Sequence, residues 1–125
     1  MKILLVDDHT VVREGVRRLL SGMQGAQIFE AGNGHEAMAI FRKEKPELVL
    51  LDLNLAGIGG LELLRRLIAE DEKVRVVVFS MHAEPVYAAR ALRLGARGYV
   101  SKSAGADELV TAVKRVAEGR RDVIS

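Results

Sequence analysis

Five polar residues stand where short apolar runs of the sequence end, and their types suit the transfer of a phosphoryl group. They are Asp7, Asp8, Asp52, Ser80 and Lys102. A carboxylate can act as a nucleophile and carry an acyl phosphate. An ammonium group and a hydroxyl can donate hydrogen bonds to the anionic oxygens of that phosphoryl group. Brought together, the five side chains would form a site for phosphoryl chemistry.

The three carboxylates of this set would repel one another unless a cation lay between them. Their ligand atoms are all oxygens, which are the donors that a hard divalent ion such as Mg²⁺ or Mn²⁺ prefers. The chain has no cysteine, and its histidines His9, His35 and His82 are scattered along the sequence. We interpret the histidines as exposed or loop residues, and we expect no histidine to join the carboxylates in a metal site.

Each of these residues also has an ordinary structural interpretation. Asp8 could cap the first helix, and Ser80 could cap the fourth. Lys102 could be a solvated loop lysine. Asp52 is harder to explain in this way, because it directly follows a strongly apolar run. The convergence of the whole set, rather than any single residue, favours the functional interpretation.

The periodicity of the chain predicts the elements that must hold these residues. Short runs rich in Val, Ile and Leu, without strict polar alternation, predict strands that are buried on both faces of a parallel sheet. Segments with apolar residues three and four apart predict amphipathic helices between the strands. The predicted strands are Ile3–Val6, Ala26–Phe29, Leu48–Leu51, Val74–Phe79 and Gly98–Val100.

Five strands that alternate with five helices predict right-handed βαβ units and therefore an α/β fold with a doubly wound parallel sheet. The fourth helix is expected to begin at Pro85 and to run to about Leu94. The binding crevice of such a sheet lies at the carboxyl ends of its strands. The polar residues that follow the strands are therefore expected to meet at one edge of the sheet.

The 125 residues and the apolar fraction of 49% are typical of one globular domain. A net charge of +2 is too small to argue for nucleic-acid binding, and the lack of cysteine excludes disulfides. No apolar run approaches the ~18 residues of a membrane span, and the acidic residues after the first run exclude a signal peptide. We expect a cytoplasmic domain over residues 1–119 that contacts no membrane, with residues 120–125 as a tail or the start of a linker.

Four stretches of the chain resemble one known family: ILLVDDH, PELVLLDLNLAGIGGLELL, VVVFSMH and GARGYVSK. They are similar to the receiver (phosphoacceptor) domain of bacterial two-component response regulators, and the likeness covers essentially the whole chain. The stretches SMH, GARGYVSK and AVKRVAEGRR are most similar to the LuxR/NarL/FixJ-type transcriptional regulators, which carry a C-terminal helix-turn-helix domain. The resemblance implies a five-stranded sheet with the flavodoxin-like strand order 2-1-3-4-5.

The resemblance also implies a role for each residue of the site. Asp52 would accept the phosphoryl group, and Lys102 would contact it. Asp7 and Asp8 would hold the Mg²⁺ or Mn²⁺ ion together with Asp52. The backbone carbonyl of Asn54 would complete the protein ligands of that ion.

Further positions bear on the response to phosphorylation. By resemblance, Ser80 would be the switch hydroxyl that moves toward the phosphoryl group, and Tyr99 the aromatic that turns inward on activation. A buried core aromatic is the ordinary alternative for Tyr99. Ala56 stands where most members of the family have proline, so a more mobile loop is expected. Met81 stands where many have a small residue, and we expect its bulky, adaptable side chain to act as an access gate to Asp52.

These observations predict a signalling switch rather than an enzyme. It would take a phosphoryl group from a sensor histidine kinase, assist its own phosphorylation and dephosphorylation, and form a homodimer when phosphorylated. DNA would be bound only through an output domain outside this chain, with a free-standing receiver or phosphorelay protein as the alternative. A Mg²⁺-dependent aspartyl phosphatase normally needs an acid where this chain has Asn54. A flavodoxin-like mononucleotide binder is disfavoured because Asp7 and Asp8 would repel its phosphate.

Overall fold

A computed structural model describes residues 1–55, 57–81 and 85–124 of the chain. Within these ranges the strands are Lys2–Val6 (β1), Gln27–Ala31 (β2), Leu48–Leu51 (β3), Arg75–Ser80 (β4), Gly98–Ser101 (β5) and Val123–Ile124 (β6). The helices are Thr10–Ser21 (α1), Gly34–Glu44 (α2), Gly60–Glu70 (α3), Pro85–Leu94 (α4) and Ala106–Ala117 (α5). The predicted five helices and the first five strands are confirmed, with strand bounds that differ by at most two residues.

The sheet is parallel throughout, with the strand order β2-β1-β3-β4-β5-β6. Alternate residues of each strand point to opposite faces, so each face has its own core. Leu4 and Val6 of β1 pack on the face covered by α2, α3 and α4. Ile3 and Leu5 pack on the face covered by α1 and α5. The predicted doubly wound α/β fold is confirmed, because helices cover both faces of one parallel sheet.

The sixth strand is the one departure from the predicted sheet of five. The chain turns back after α5 through Gly119 and Asp122, which have φ values of +97° and +56°. The Val123 N–H then donates a hydrogen bond of 3.1 Å to the carbonyl of Arg97, and the Val123 side chain is buried. The segment 120–125 was expected to be a tail or linker, and part of it extends the sheet. The domain boundary at residue 119 stays a prediction.

A search for membrane-spanning segments among the described residues found no helix that is both long and apolar enough to cross a bilayer. The longest of the helices have 12 residues, α1 and α5, whereas a span needs about 20.

Candidate functional site

Adjacent strands bring the two buried carboxylates together. The Asp52 N–H donates to the carbonyl of Val6 at 3.0 Å, so the residue after β3 lies beside the residue after β1. The Asp7 N–H donates in turn to the carbonyl of Ala31 at 3.1 Å. Asp7 and Asp52 are each only 2% exposed, whereas Asp8 lies at the surface. The strand ladders therefore fix where both buried carboxylates lie.

Lys102 lies between these two carboxylates. Its backbone N–H donates to the carbonyl of Ser80 at 2.7 Å, which ties the end of β5 to that of β4. The Lys102 ammonium donates to Asp7 Oδ2 at 3.0 Å and to Asp52 Oδ2 at 3.1 Å. The ammonium also lies 5.6 Å from the centre of the Phe79 ring, a cation–π distance. The side chain is only 7% exposed, so the interpretation of Lys102 as a solvated loop lysine is wrong.

His9 joins the carboxylates, and the expectation that no histidine would do so is wrong. Its Nδ1 atom lies 3.1 Å from Asp7 Oδ1, 3.0 Å from Asp8 Oδ1 and 3.9 Å from Asp52 Oδ2. The backbone explains this position, because the His9 N–H donates to Asp7 Oδ1 at 2.8 Å and turns the chain over the carboxylates. His9 is also the N-cap residue of α1, without a side-chain capping bond, so Asp8 does not cap that helix.

The donor set fits a divalent cation. One ligand atom from each of Asp7, Asp8, His9 and Asp52 can be chosen so that all four lie within 4.8 Å of one another. Three carboxylates against the single ammonium of Lys102 leave a formal charge of −2 when the imidazole is neutral. Because such an excess of like charge is unfavourable around the buried Asp7 and Asp52, a doubly charged ion would balance it.

The loop after β3 fixes the orientation of Asp52. The Asn54 N–H donates to Asp52 Oδ1 at 3.1 Å, so both carboxylate oxygens of Asp52 accept hydrogen bonds. Gly60 begins α3 directly against this loop: an ideal Cβ built there would lie 2.4 Å from the Leu53 Cα atom. The role of the Asn54 carbonyl as a metal ligand stays a prediction. Ala56 lies outside the described residues.

The expected switch residues lie beside this site rather than within the carboxylate cluster. Ser80 ends β4 with no exposed surface, and Tyr99 of β5 is 2% exposed. Tyr99 belongs to the core cluster that also contains Ala88 and Ala91 of α4. Both roles stay predictions.

The remaining residues singled out from the sequence lie on the surface or outside the described part of the chain. Met81 follows β4 and is 68% exposed, which argues against a role in packing beneath the loop. His35 lies on α2, at a cavity of about 400 Å³ between α2 and α3 whose lining includes none of Asp7, Asp8 and Asp52. His82 lies outside the described residues.

Comparison with known proteins agrees with this geometry. The family model of the response regulator receiver domain matches residues 3–114. The response regulator GacA of Pseudomonas aeruginosa is 38% identical over 122 residues, which cover 97% of this chain and 57% of GacA. The response regulator UvrY of Escherichia coli is 36% identical over 126 residues, covering 100% of this chain and 58% of UvrY. The chain thus spans a little over half the length of these relatives.

Solved structures give the same result. The crystal structure of a two-component response regulator of the LuxR family from Aurantimonas superposes with a TM-score of 0.93 at 41% identity. The superposition covers 98% of this chain and 88% of that one. The receiver domain of the response regulator NarL from Mycobacterium tuberculosis superposes with a TM-score of 0.86 at 33% identity, over 95% of this chain and 97% of that one. The chain therefore belongs to the response regulator receiver domain family, in its LuxR/NarL/FixJ branch.

Proposed function

We propose that Asp52 accepts a phosphoryl group from the phosphohistidine of a sensor histidine kinase and that the chain thereby acts as a signalling switch. The observation that carries this proposal is the Lys102 ammonium, which bridges the two most deeply buried carboxylates at 3.0 and 3.1 Å. In the transfer, a carboxylate oxygen of Asp52 attacks phosphorus, the P–O bond forms, and the P–N bond to the kinase imidazole breaks. The imidazole leaves with the electron pair of that bond and takes a proton.

The chain's own residues prepare Asp52 for this step. Hydrogen bonds from Asn54 and Lys102 hold the two oxygens of Asp52 in one orientation, which lowers the entropic cost of reaching an in-line geometry. The same Lys102 ammonium remains beside the phosphoryl group and balances its added negative charge. A Mg²⁺ or Mn²⁺ ion held by Asp7, Asp8 and Asp52, with the Asn54 carbonyl, would supply further neutralisation of the phosphoryl oxygens. The same groups assist hydrolysis of the acyl phosphate.

The response to phosphorylation follows from the two buried residues next to the site. The new anionic group offers the Ser80 hydroxyl a strong acceptor, and β4 pairs with β5 through Val78 and Tyr99. A shift of Ser80 therefore changes the space around Tyr99 and the packing of α4, which includes Ala88 and Ala91. In the cytoplasm, this change is relayed through a phosphorylation-dependent homodimer to a DNA-binding output domain outside this chain. In support of such an output domain, the curated relatives GacA and UvrY extend well beyond the part that this chain matches, which is 57% and 58% of their lengths.

The test is intact mass after incubation with acetyl phosphate and Mg²⁺. The wild-type chain should gain a single phosphoryl group that hydroxylamine removes, and Asp52→Asn should gain none. Asp107→Asn, at an exposed carboxylate in α5, is the matched control and should behave as the wild type. Phosphorylation of Asp52→Asn with the same lability would overturn the assignment. Steady turnover of a phosphomonoester by the wild-type chain would instead favour an aspartyl phosphatase.

A further inference from the structure

The position of His9 has a geometric property that an ordinary surface histidine lacks. Its Nδ1 atom lies 3.1 Å from Asp7 Oδ1 and 3.0 Å from Asp8 Oδ1. Neighbouring donors on an octahedral ion with bonds of about 2.1 Å lie about 3.0 Å apart. The spacing of the nitrogen from each of the two carboxylate oxygens therefore fits neighbouring ligands of one ion, and in the absence of an ion it also fits a hydrogen bond between Nδ1 and Asp7 Oδ1. Asp52 Oδ2 lies 3.9 Å from Nδ1. It could bind the same ion if the angle between the two bonds at the ion were wider than about 90°.

The rest of the His9 environment leaves its ring available for this purpose. The side chain is 61% exposed, so it packs into no core cluster and can adjust its angle at little cost. As the N-cap residue of α1 it makes no side-chain capping bond. The backbone hydrogen bond from His9 to Asp7 Oδ1 holds the Cα atom next to the carboxylates, whichever way the ring turns. The tautomer that carries its proton on Nε2 presents the Nδ1 lone pair to the carboxylate side.

We propose that His9 is an additional protein ligand of the metal site, through Nδ1, and that it shifts the metal preference of the site. The inference rests on the metal site of the proposed function. Imidazole nitrogen is a poor ligand for Mg²⁺ and a better one for the later transition-metal ions from Fe²⁺ to Zn²⁺, a series that includes Co²⁺. A site of three carboxylates alone would favour Mg²⁺, whereas the added nitrogen favours a transition-metal ion. With the three carboxylates, the carbonyl of Asn54 and His9 as ligands, one position of a six-coordinate ion would remain for a phosphoryl oxygen.

The experiment compares metal binding by the wild-type chain and by His9→Phe, which keeps a ring of similar size without nitrogen. His35→Phe, at a histidine on α2 away from the carboxylates, is the matched control. By calorimetric titration, His9→Phe should bind Co²⁺ about tenfold more weakly, the range seen when a metal site loses one supporting group. Its affinity for Mg²⁺ should stay within about twofold of the wild-type value. His35→Phe should match the wild type for both ions.

Electron spin-echo spectra of bound Mn²⁺ give a direct second measurement. Wild type and His35→Phe should show coupling to an imidazole ¹⁴N nucleus, and His9→Phe should show none. If Mg²⁺ and Mn²⁺ bind but no nitrogen coupling is seen in the wild type, and Co²⁺ binds equally to His9→Phe, His9 is only a hydrogen-bond donor to the carboxylates. That result overturns this inference and leaves the proposed function intact. Failure of the wild-type chain to bind any of the ions overturns the metal site itself.

Discussion

Gly60 offers a sharp test of how the fold positions Asp52. An alanine Cβ at this residue would lie 2.4 Å from the Leu53 Cα atom, 2.7 Å from the Leu53 carbonyl oxygen and 2.8 Å from that of Asp52. All three neighbours are backbone atoms, and ordinary contacts begin at 3.4 Å. The loop would have to move by about 1 Å, since backbone cannot rotate out of the way as a side chain can. Gly60→Ala should therefore displace the residue that we propose as the phosphoacceptor.

The cost can be estimated from known substitutions. Forcing an extra methyl group into a packed region costs about 1–3 kcal/mol. Gly60 is the first residue of α3, so the better helix propensity of alanine returns less than the roughly 1 kcal/mol that it contributes in a helix interior. A net loss of about 1–2 kcal/mol should lower the melting temperature of a domain of this size by about 4–8 °C. A misplacement of about 1 Å at the reacting group should also slow phosphorylation by acetyl phosphate at least tenfold, toward a limit of about a hundredfold.

Gly15→Ala is the matched control for this prediction. Gly15 also lies in a helix, α1, but an ideal Cβ there has no neighbour within 4 Å. The substitution should raise stability by about 0.5–1 kcal/mol and leave the phosphorylation rate unchanged. The measurements are the melting temperature of each variant and its rate of phosphorylation by acetyl phosphate, followed by intact mass. If Gly60→Ala melts as high as Gly15→Ala and is phosphorylated at the wild-type rate, the contact with the Asp52 loop is not what requires glycine.

Three further substitutions probe the site. Lys102→Met leaves two buried carboxylates without their ammonium partner, so it should lower the free energy of unfolding by about 3–5 kcal/mol. Because Mg²⁺ binds the folded state, adding it should restore part of the lost melting temperature. Ser80→Ala should still be phosphorylated, but the amide shifts around Tyr99 that a phosphoryl mimic induces should disappear. Met81→Ala should speed both phosphorylation by small donors and hydrolysis, with little change in Mg²⁺ affinity, because it removes an exposed side chain that we expect to stand beside the approach to Asp52.

Each of these outcomes can fail separately. An unchanged melting temperature of Lys102→Met without metal would mean that the buried carboxylates do not need the ammonium. Persistent shifts near Tyr99 in Ser80→Ala would place the coupling elsewhere. Equal rates of phosphorylation and hydrolysis in Met81→Ala and the wild type would show that Met81 does not restrict access to Asp52.

The site could be predicted from the sequence because parallel strands impose a simple rule on position. Each strand that is buried on both faces ends at the same edge of the sheet, so Asp7, Asp52 and Lys102 had to converge once the strands were recognised. Their contacts of 3.0 and 3.1 Å agree with that prediction. Side-chain direction in the loops follows no comparable rule. His9 follows β1 at a point where a backbone hydrogen bond to Asp7 Oδ1 holds its Cα atom beside the carboxylates, and its ring contacts Asp7 and Asp8.

The sixth strand was missed for a related reason. Val123 and Ile124 are too few to show any hydrophobic period, and three charged residues precede them. Their pairing depends on the left-handed backbone of Gly119 and Asp122 and on the open side of β5. A non-glycine residue with positive φ is rarely evident from sequence, because local preference disfavours it. Tertiary contacts, rather than the local sequence pattern, therefore determine that a sixth strand is added to the sheet.

The short strand β6 also bears on how this protein avoids joining its sheet to that of another molecule. An outermost strand with unpaired N–H and C=O groups is a template for strands of other chains, and aggregation often begins there. β6 covers β5 at Gly98 and Tyr99, and it offers only two residues of its own for further pairing. The exposed charges just before it, Arg120, Arg121 and Asp122, discourage the approach of another strand. β6 and the charged residues that precede it thus act as a barrier against intermolecular sheet growth on this side.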